Sequence, residues 1–361
     1  MASITIITPG FSGHAVGGYK VVYEYANFLV AQGHSVTMAQ MRPAQLRGNG
    51  SVKSRVLRAA QYRIGRHKRP GWFALDSRVS VINYPTQDAS VIPQTDVVVA
   101  TAMETADFAN QVSQDRGIPG AYFIQHYEDW MYGTDLVDAT WRLPLQKLVI
   151  APWLAEKGAE LGVTSILVRN AIDSRAFPAG PAISERPLQV LALASDLEWK
   201  RTDLVAEVMA AVAAHIPSAQ LRVFGTLERP QILPAEVEYL QSPSPEVLRA
   251  LYQSSRVFVC ASDAEGSALP PGEAMSSRAA VASTDIGGVR VYADGVALFS
   301  PRGDSEALAA NVIRLLTDET ECEHYASAGL ARILGYTPDD AAAVFERELL
   351  GLISAHSSKR R

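Results

Sequence analysis

The chain has 361 residues, of which 48% are hydrophobic and 20% are charged, and its formal net charge at pH 7 is −5. This length predicts two domains rather than one small core, and the composition is that of a folded protein. The acidic balance argues against a protein whose whole surface binds nucleic acid. No apolar run approaches the about 20 residues that a membrane span requires.

The N-terminus and the cysteines indicate the compartment. The first residues, MASITIITPGFSGH, lack a basic start and a long apolar stretch, so they predict a first β-strand rather than a signal peptide. The two cysteines, Cys260 and Cys322, have no metal-ligand spacing, which favours a reducing setting. We therefore expect a cytoplasmic protein.

A cationic segment, residues 42–69, interrupts the acidic sequence. It holds nine basic residues and no acid: Arg42, Arg47, Lys53, Arg55, Arg58, Arg63, Arg66, Lys68 and Arg69. Such a segment suits an anionic acceptor, or peripheral contact with the inner face of a membrane. A solvated loop that contains a helix accounts for the same pattern equally well.

Short β-rich apolar runs alternate with helical patterns in two series. The first series of predicted strands is 3–8, 35–38, 96–101, 121–125 and 147–150, and the second is 189–194, 221–225, 257–262 and 279–284. Continuous apolar strands separated by helices predict parallel sheets that are covered on both faces. The sequence therefore predicts an α/β protein with two doubly wound, Rossmann-like domains.

A segment rich in Pro and Gly, residues 174–187, separates the two series. We predict an N-terminal domain over 1–178 and a C-terminal domain over 179–336. Residues 337–361 are expected to form a helix that crosses back to the N-terminal domain, followed by a disordered tail, SSKRR.

Two turns carry the pattern of a phosphate site. Gly17 and Gly18 lie where the chain enters an amphipathic helix, and bare amides and the helix N-terminus favour an anion there, although a glycine pair before a helix is often only a tight turn. In DAEGSALPPGEAM, residues 263–275, two glutamates flank a Gly/Pro-rich turn that follows a predicted strand. There we expect Glu273 in the first helical turn, which suits the helix dipole, and Glu265 on the ligand side.

Over nearly its whole length, and most specifically in its C-terminal half, the chain resembles the GT-B glycosyltransferases of family 4, which are retaining enzymes with nucleotide-sugar donors. That family's E-G-F-G-L-P-x-x-E-A-M frame is matched by EGSALPPGEAM over 265–275. VRNAID at 168–173 is similar to its N-G-V-D interdomain motif, and the N-terminal half, with YFIQHYEDW, resembles the branch containing rhamnosyltransferases of polysaccharide and rhamnan assembly. The resemblance implies two Rossmann-like domains that face a central cleft.

The resemblance also implies roles for single residues. Glu273 would hold the ribose hydroxyls of the donor, Glu265 would contact the donor sugar, and His126 would face that sugar. Backbone amides would cradle the diphosphate and sugar, namely those of Gly17, Gly18, Gly266, Ser267, Ala268 and Leu269.

The family's G-R-x4-K-G frame places two cations on the diphosphate. Lys200 occupies the lysine position, whereas Ser195 replaces the arginine, which makes the neighbouring Arg201 a candidate substitute. The implied reaction is front-face substitution, in which a donor phosphate oxygen takes the acceptor proton, so neither glutamate acts as a nucleophile. No metal or cofactor is implied, because helix N-termini and Lys200 neutralise the diphosphate of the donor substrate.

The acceptor is expected to be a glycan, a lipid-linked molecule or a small molecule, and to contact Tyr127, Trp130 and Tyr132. Two alternatives stay open. One is a nucleotide-sugar epimerase of the same architecture, and the other is a donor-binding protein with little catalysis, given Ser195. A NAD-dependent dehydrogenase is disfavoured, because the G-x-G-x-x-G fingerprint and its acidic ribose ligand are missing.

Overall fold

The computed structural model describes residues 1–13, 16–42 and 67–359. The chain divides into two compact units. Unit 1 consists of Met1–Asn170 and Asp339–Arg361, and unit 2 consists of Ala171–Pro338. The sequence predicts a boundary after residue 178, whereas the structure divides the chain after Asn170, inside VRNAID.

Unit 1 is built on a seven-stranded parallel sheet with the strand order β3-β2-β1-β4-β5-β6-β7. Its strands are β1 Ser3–Thr8, β2 Ser35–Met41, β3 Ser80–Tyr84, β4 Val97–Ala100, β5 Gly120–Ile124, β6 Gln146–Val149 and β7 Ser165–Leu167. Its described helices are α1 Gly17–Ala31, α2 Met103–Arg116, α3 Asp129–Tyr132, α4 Thr134–Trp141, α5 Pro152–Glu160 and the C-terminal α12 Pro338–Lys359.

Unit 2 is built on a six-stranded parallel sheet with the strand order β10-β9-β8-β11-β12-β13. Its strands are β8 Gln189–Leu193, β9 Gln220–Gly225, β10 Glu238–Gln241, β11 Val257–Cys260, β12 Ala280–Thr284 and β13 Leu298–Ser300. Its helices are α6 Thr202–His215, α7 Pro245–Ser254, α8 Leu269–Ser276, α9 Gly287–Ala293, α10 Ser305–Thr317 and α11 Glu319–Leu334.

The strand predictions are confirmed for the inner strands of both sheets. The four strands that the sequence does not reveal are β3, β7, β10 and β13, and each lies at an edge of its sheet. An edge strand is covered less completely, so its residues need not be continuously apolar. Strand β10, for example, has no fully buried residue, whereas all four residues of β11 are buried.

The core of unit 2 shows why its strands are apolar throughout. Val257 and Val259 of β11 lie in a cluster with α6 and α10 on one face of the sheet. Phe258 and Cys260 alternate with them and lie in a second cluster with α7 and α8. Because helices cover both faces, each residue of the strand is buried and no polar alternation survives.

The strand order places one reversal in each sheet. The direction in which successive strands are added changes between β8 and β11 in unit 2 and between β1 and β4 in unit 1. In open parallel sheets ligands bind outside the carboxyl ends of the strands at such a reversal. The turns that follow β8 and β11 are therefore the first place to look for a site in unit 2.

Helix α12 packs on unit 1, although it follows unit 2 in the chain. Phe345 is 1% exposed and its ring contacts those of Tyr25 and Phe123, at centroid distances of 5.0 and 5.3 Å. Glu346 accepts a hydrogen bond from His34 Nε2 at 2.7 Å. The expected disordered tail is partly wrong, because the helix continues to Lys359; Arg360 and Arg361 lie outside the described residues.

Replacing Phe345 by Ala should destabilise unit 1 by about 3–5 kcal/mol, because it leaves a cavity between α12, α1 and β5. Hydrogen exchange measured by mass spectrometry should become faster in α1 and β5 and stay unchanged in unit 2. Phe345→Leu, which fills most of the space, should show a smaller effect. Unchanged exchange in α1 and β5 would contradict this packing.

Candidate functional site

Two turns meet at the carboxyl ends of β8 and β11 in unit 2. The backbone amide of Asp263, after β11, donates to the carbonyl of Trp199, after β8, at 2.8 Å. Arg201 Nη1 donates to the Asp263 carboxylate at 2.9 Å. Hydrogen bonds therefore join these two turns at the reversal of strand order where a ligand is expected to bind.

Lys200 and Glu265 form an ion pair across this junction. Lys200 Nζ lies 2.5 Å from Glu265 Oε1, and the Ser262 hydroxyl donates to the same oxygen at 2.8 Å. The two side chains are only 18% and 11% exposed. The structure thus brings together the two residues that the sequence assigns to the diphosphate and to the donor sugar.

A glycine makes the position of Glu265 possible. Gly288, in the first turn of α9, packs so closely that a Cβ there would lie 2.4 Å from the Glu265 carbonyl oxygen. No residue with a Cβ fits at that distance. The glycine at position 288 therefore allows the loop that carries Glu265 to pack against the start of α9.

Glu273 lies deeper in unit 2 than the sequence indicates. Helix α8 begins at Leu269, so Glu273 is its fifth residue, and the expectation that it sits in the first turn is wrong. The residue is 9% exposed, and its Oε2 accepts a hydrogen bond from the Tyr252 hydroxyl at 3.0 Å. A buried hydrogen bond, rather than the helix dipole, holds this carboxylate.

Tyr252 is a site residue that sequence reasoning missed. It is fully buried in α7, and its ring contacts Phe177, Phe224 and Phe258. Burial, the Glu273 charge and the hydrogen bond to Glu273 raise the pKa of Tyr252 well above its usual value, so the hydroxyl keeps its proton and donates. Nothing in the local sequence distinguishes it from an ordinary core tyrosine.

The amides before α8 are only partly available for a ligand. The Ala268 amide donates to the Gly288 carbonyl at 3.0 Å, so the expectation that it faces a ligand is wrong. Within the described residues, the amides of Ser267 and Leu269 have no protein acceptor, and the buried Ser267 hydroxyl has no hydrogen-bond partner. A buried polar group without a partner is what a hydrogen-bonding ligand would satisfy.

Arg201 is engaged by two aspartates. Its Nε and Nη2 donate to Asp203, with Nη2 at 2.8 Å from Oδ2, while Nη1 donates to Asp263. The hydrogen bonds to Asp203 and then Asp263 raise the pKa of Arg201 further above its usual value. Ser195, at the position of the missing arginine, accepts from Thr202 and has no cation to offer.

In unit 1, Gly17 and Gly18 begin helix α1 as predicted. The preceding residue, Val16, provides no side-chain cap, and the first turn contains no acidic residue. The Gln125 side chain, which follows β5, donates to the Gly18 carbonyl at 3.2 Å. The glycine turn and the end of β5, which carries His126, are therefore joined within this unit.

His126 lies between two tryptophans. Its ring is nearly perpendicular to those of Trp130 and Trp153, with centroid distances of 4.2 and 5.5 Å. Its Nδ1 lies 3.2 Å from the carbonyl oxygen of Tyr127. The imidazole is thus oriented by aromatic packing, and Trp153 is a contact that the sequence did not indicate.

The three aromatic residues expected to meet an acceptor occupy different environments. Tyr127 is 7% exposed and donates to Asp138, so it is an interior residue rather than an acceptor contact. Tyr132 is half-buried and donates to Glu104. Trp130 is 39% exposed and is the most exposed of the three.

Glu128 holds the His126 loop against helix α2. Its Oε2 accepts from the Met103 amide at 2.8 Å, and Met103 is the first residue of that helix. Burial raises the pKa of Glu128 to about 7, the hydrogen bond from Met103 opposes this shift, and the nearby Glu104 charge adds to it. A carboxyl group that titrates near neutral pH therefore sits two residues from His126.

Most of the cationic segment, residues 43–66, lies outside the described residues, so its membrane or acceptor role stays a prediction. None of the described helices is long and apolar enough to cross a bilayer. Across the described residues, no three His, Cys, Asp or Glu side chains are grouped so as to hold a metal ion.

Residues 188–318, which include Lys200, Glu265 and Glu273, match the model of the family described as glycosyl transferases group 1. Unit 2 therefore carries a glycosyltransferase domain. The predicted enzyme class is confirmed by this match. Among curated proteins, none matches the sequence significantly.

Similar solved structures extend over nearly the whole chain. Sucrose-phosphate synthase from Thermosynechococcus elongatus is 16% identical, with a TM-score of 0.74, and the match covers 98% of this chain and 100% of that chain. HepE from Anabaena, in complex with UDP and glucose, is 13% identical, with a TM-score of 0.72 and coverages of 97% and 100%. A glycosyltransferase from Rickettsia africae is 12% identical, with a TM-score of 0.72 and coverages of 97% and 98%. These likenesses confirm the GT-B fold.

The pKa of Glu128 predicts a pH effect on the stability of unit 1. The folded pKa of about 7 exceeds the usual 4.5, so the free energy of unfolding should fall as pH rises from about 4.5 to about 7. Glu128→Gln should remove that fall. The thermal midpoint of the variant minus that of the wild type should therefore be greater at about pH 8 than at about pH 4.5.

The exposed Glu160 of the same unit offers a control. The thermal midpoint of Glu160→Gln should change with pH in the same way as that of the wild type over this range. Parallel curves for wild type and Glu128→Gln would mean that Glu128 does not titrate with a raised pKa.

Proposed function

We propose that the protein transfers a hexosyl or deoxyhexosyl group from a nucleotide-diphosphate sugar to a glycan, lipid-linked or small-molecule acceptor, with retention of configuration. The observation that carries this proposal is the ion pair of Lys200 with Glu265 at the β8/β11 reversal, in the same unit as the buried Glu273. The pair lies within the domain that matches glycosyl transferases group 1.

The donor nucleotide is assigned to unit 2. The Glu273 carboxylate accepts hydrogen bonds from the ribose hydroxyls, and the Tyr252 hydroxyl holds that carboxylate in orientation. The amides of Ser267 and Leu269 and the Ser267 hydroxyl bind the diphosphate or the sugar, since these groups have no acceptor among the described residues. Glu265 accepts from a sugar hydroxyl.

A UDP-sugar is the donor to test first. HepE, whose fold this chain shares, has been solved with UDP and with UDP-glucose. HepE is only 13% identical to this chain, so uridine and glucose are proposed for this chain on the basis of the shared fold alone. The rhamnosyltransferase branch suggested by the sequence remains a second proposal for the sugar.

The reaction proceeds by front-face substitution. Lys200 leaves Glu265 and stabilises the negative charge that develops on the departing diphosphate. As the bond between the anomeric carbon and the phosphate oxygen breaks, the acceptor oxygen bonds to that carbon on the same face and a phosphate oxygen of the departing diphosphate takes the acceptor proton. Because Lys200 and backbone amides neutralise the charge, the proposal requires neither a metal ion nor a cofactor.

Acceptor recognition is assigned to unit 1. His126 is proposed to face the donor sugar, and Trp130, which packs on it and is 39% exposed, provides an apolar surface that suits a sugar ring. Cytoplasmic location, peripheral membrane contact through residues 42–69, and a role in surface polysaccharide assembly belong to the same proposal.

Glu273→Ala should weaken UDP binding by about 10- to 100-fold, the cost of losing charged hydrogen bonds. Tyr252→Phe should weaken it about threefold, because the carboxylate remains but loses its orienting donor. Isothermal titration calorimetry with UDP measures both, and Glu306→Ala, an exposed carboxylate of α10, is the control. Affinity unchanged in Glu273→Ala would refute the assignment of the ribose site.

Lys200→Ala should lower the kcat of sugar transfer by about 100-fold, because one preorganised cation on the leaving group is lost. The measurement is release of UDP from UDP-sugars with and without an acceptor glycan. Wild-type turnover by the Lys200→Ala variant would contradict the leaving-group role. Conversion of the donor to an epimer without transfer would instead identify an epimerase.

A further inference from the structure

Arg201 connects the two turns that carry Lys200 and Glu265. It follows Lys200 directly in the chain, and its Nη1 donates to Asp263, two residues before Glu265. Its Nε and Nη2 hold Asp203, at the start of α6. A single guanidinium thus spans the turn after β8, the turn after β11 and the helix between β8 and β9.

The backbone conformation of Arg201 indicates that the contacts of its side chain are needed to hold the turn. Its φ and ψ angles are 51° and 55°, in the left-handed region that glycine adopts freely and that a residue with a Cβ adopts at a cost. Such a conformation persists only where the surroundings fix it. Here the surroundings are the two aspartates, which fix the guanidinium at both ends.

The local charge argues against a diphosphate ligand. Arg201 carries one positive charge and faces two carboxylates, Asp203 and Asp263, so the three side chains together are net negative. A diphosphate approaching this guanidinium would meet both carboxylates. Lys200, in contrast, faces the single carboxylate of Glu265.

We infer that Arg201 is a positioning residue, which holds the Lys200 turn and the Glu265 loop in register through its two aspartates, and that it does not replace the arginine missing at Ser195. The inference rests on the proposed function for its effect on turnover. The Asp263 amide supports the same register, since it donates to Trp199 between the same two turns.

The test compares Arg201→Gly, Arg201→Lys, Asp263→Asn and the double variant Arg201→Gly/Asp263→Asn. Glycine relieves the backbone and removes the guanidinium, and lysine keeps the charge but not the planar fork. Arg314→Ala is the matched control, because Arg314 pairs with Glu321 between α10 and α11, outside the site. UDP affinity, kcat and KM for the UDP-sugar, and the unfolding midpoint are measured for each.

The inference predicts that each single variant, Arg201→Lys included, lowers kcat about tenfold, because the reacting groups are displaced. UDP affinity should stay within about twofold of wild type, since no phosphate contact is lost. The double variant should be no slower than the single ones, as expected for residues that act through one contact. Arg314→Ala should keep wild-type kinetics.

Two results would overturn the inference. If Arg201→Gly loses about tenfold or more in UDP affinity while Arg201→Lys and Asp263→Asn bind normally, Arg201 is a diphosphate ligand. If Arg201→Gly has the kinetics of Arg314→Ala, the residue positions nothing.

Failure of the proposed function would be recognised separately. If the wild type turns over no donor, the unfolding midpoints decide the inference. The changes in unfolding midpoint caused by Arg201→Gly and Asp263→Asn should then be non-additive, whereas those of Arg201→Gly and Arg314→Ala, combined in a second double variant, should be additive. Additive effects of Arg201→Gly and Asp263→Asn would reject the contact.

Discussion

The ion pair between Lys200 and Glu265 is the interaction on which the site depends. It forms because β8 and β11 end side by side at the reversal of a parallel sheet, which brings together two residues that are 65 positions apart in the chain. With side chains only 18% and 11% exposed, neither charge is well hydrated, so Lys200 can leave Glu265 only for another negative group. The contacts of Ser262 and Gly288 fix the position of Glu265 at this edge.

The inner strands of both sheets were predictable because they are buried on both faces and are therefore continuously apolar. Such a run can be recognised in the sequence without knowledge of the tertiary structure. The four edge strands were not, because partial exposure removes that run. The frame EGSALPPGEAM singles out the two glutamates in the sequence, but it does not indicate their environments. Glu273 is held by Tyr252, whose role depends on a contact across 21 positions that no local pattern encodes.

Arg201 and Tyr127 show a second limit of sequence reasoning. A cation beside a phosphate motif, or an aromatic residue beside a candidate histidine, favours a ligand contact until its partners are known. The aspartates around Arg201 and the burial of Tyr127 against Asp138 are tertiary facts. They show that the polar groups of both side chains are already engaged within the protein.

A crystal structure of the protein with bound UDP tests the central claim most directly. The account predicts the ribose hydroxyls within hydrogen-bond distance of Glu273, and the diphosphate at the start of α8. Lys200 Nζ should have left Glu265 for a phosphate oxygen. UDP bound away from the β8/β11 reversal, or with the Lys200–Glu265 pair intact and the diphosphate elsewhere, would contradict it.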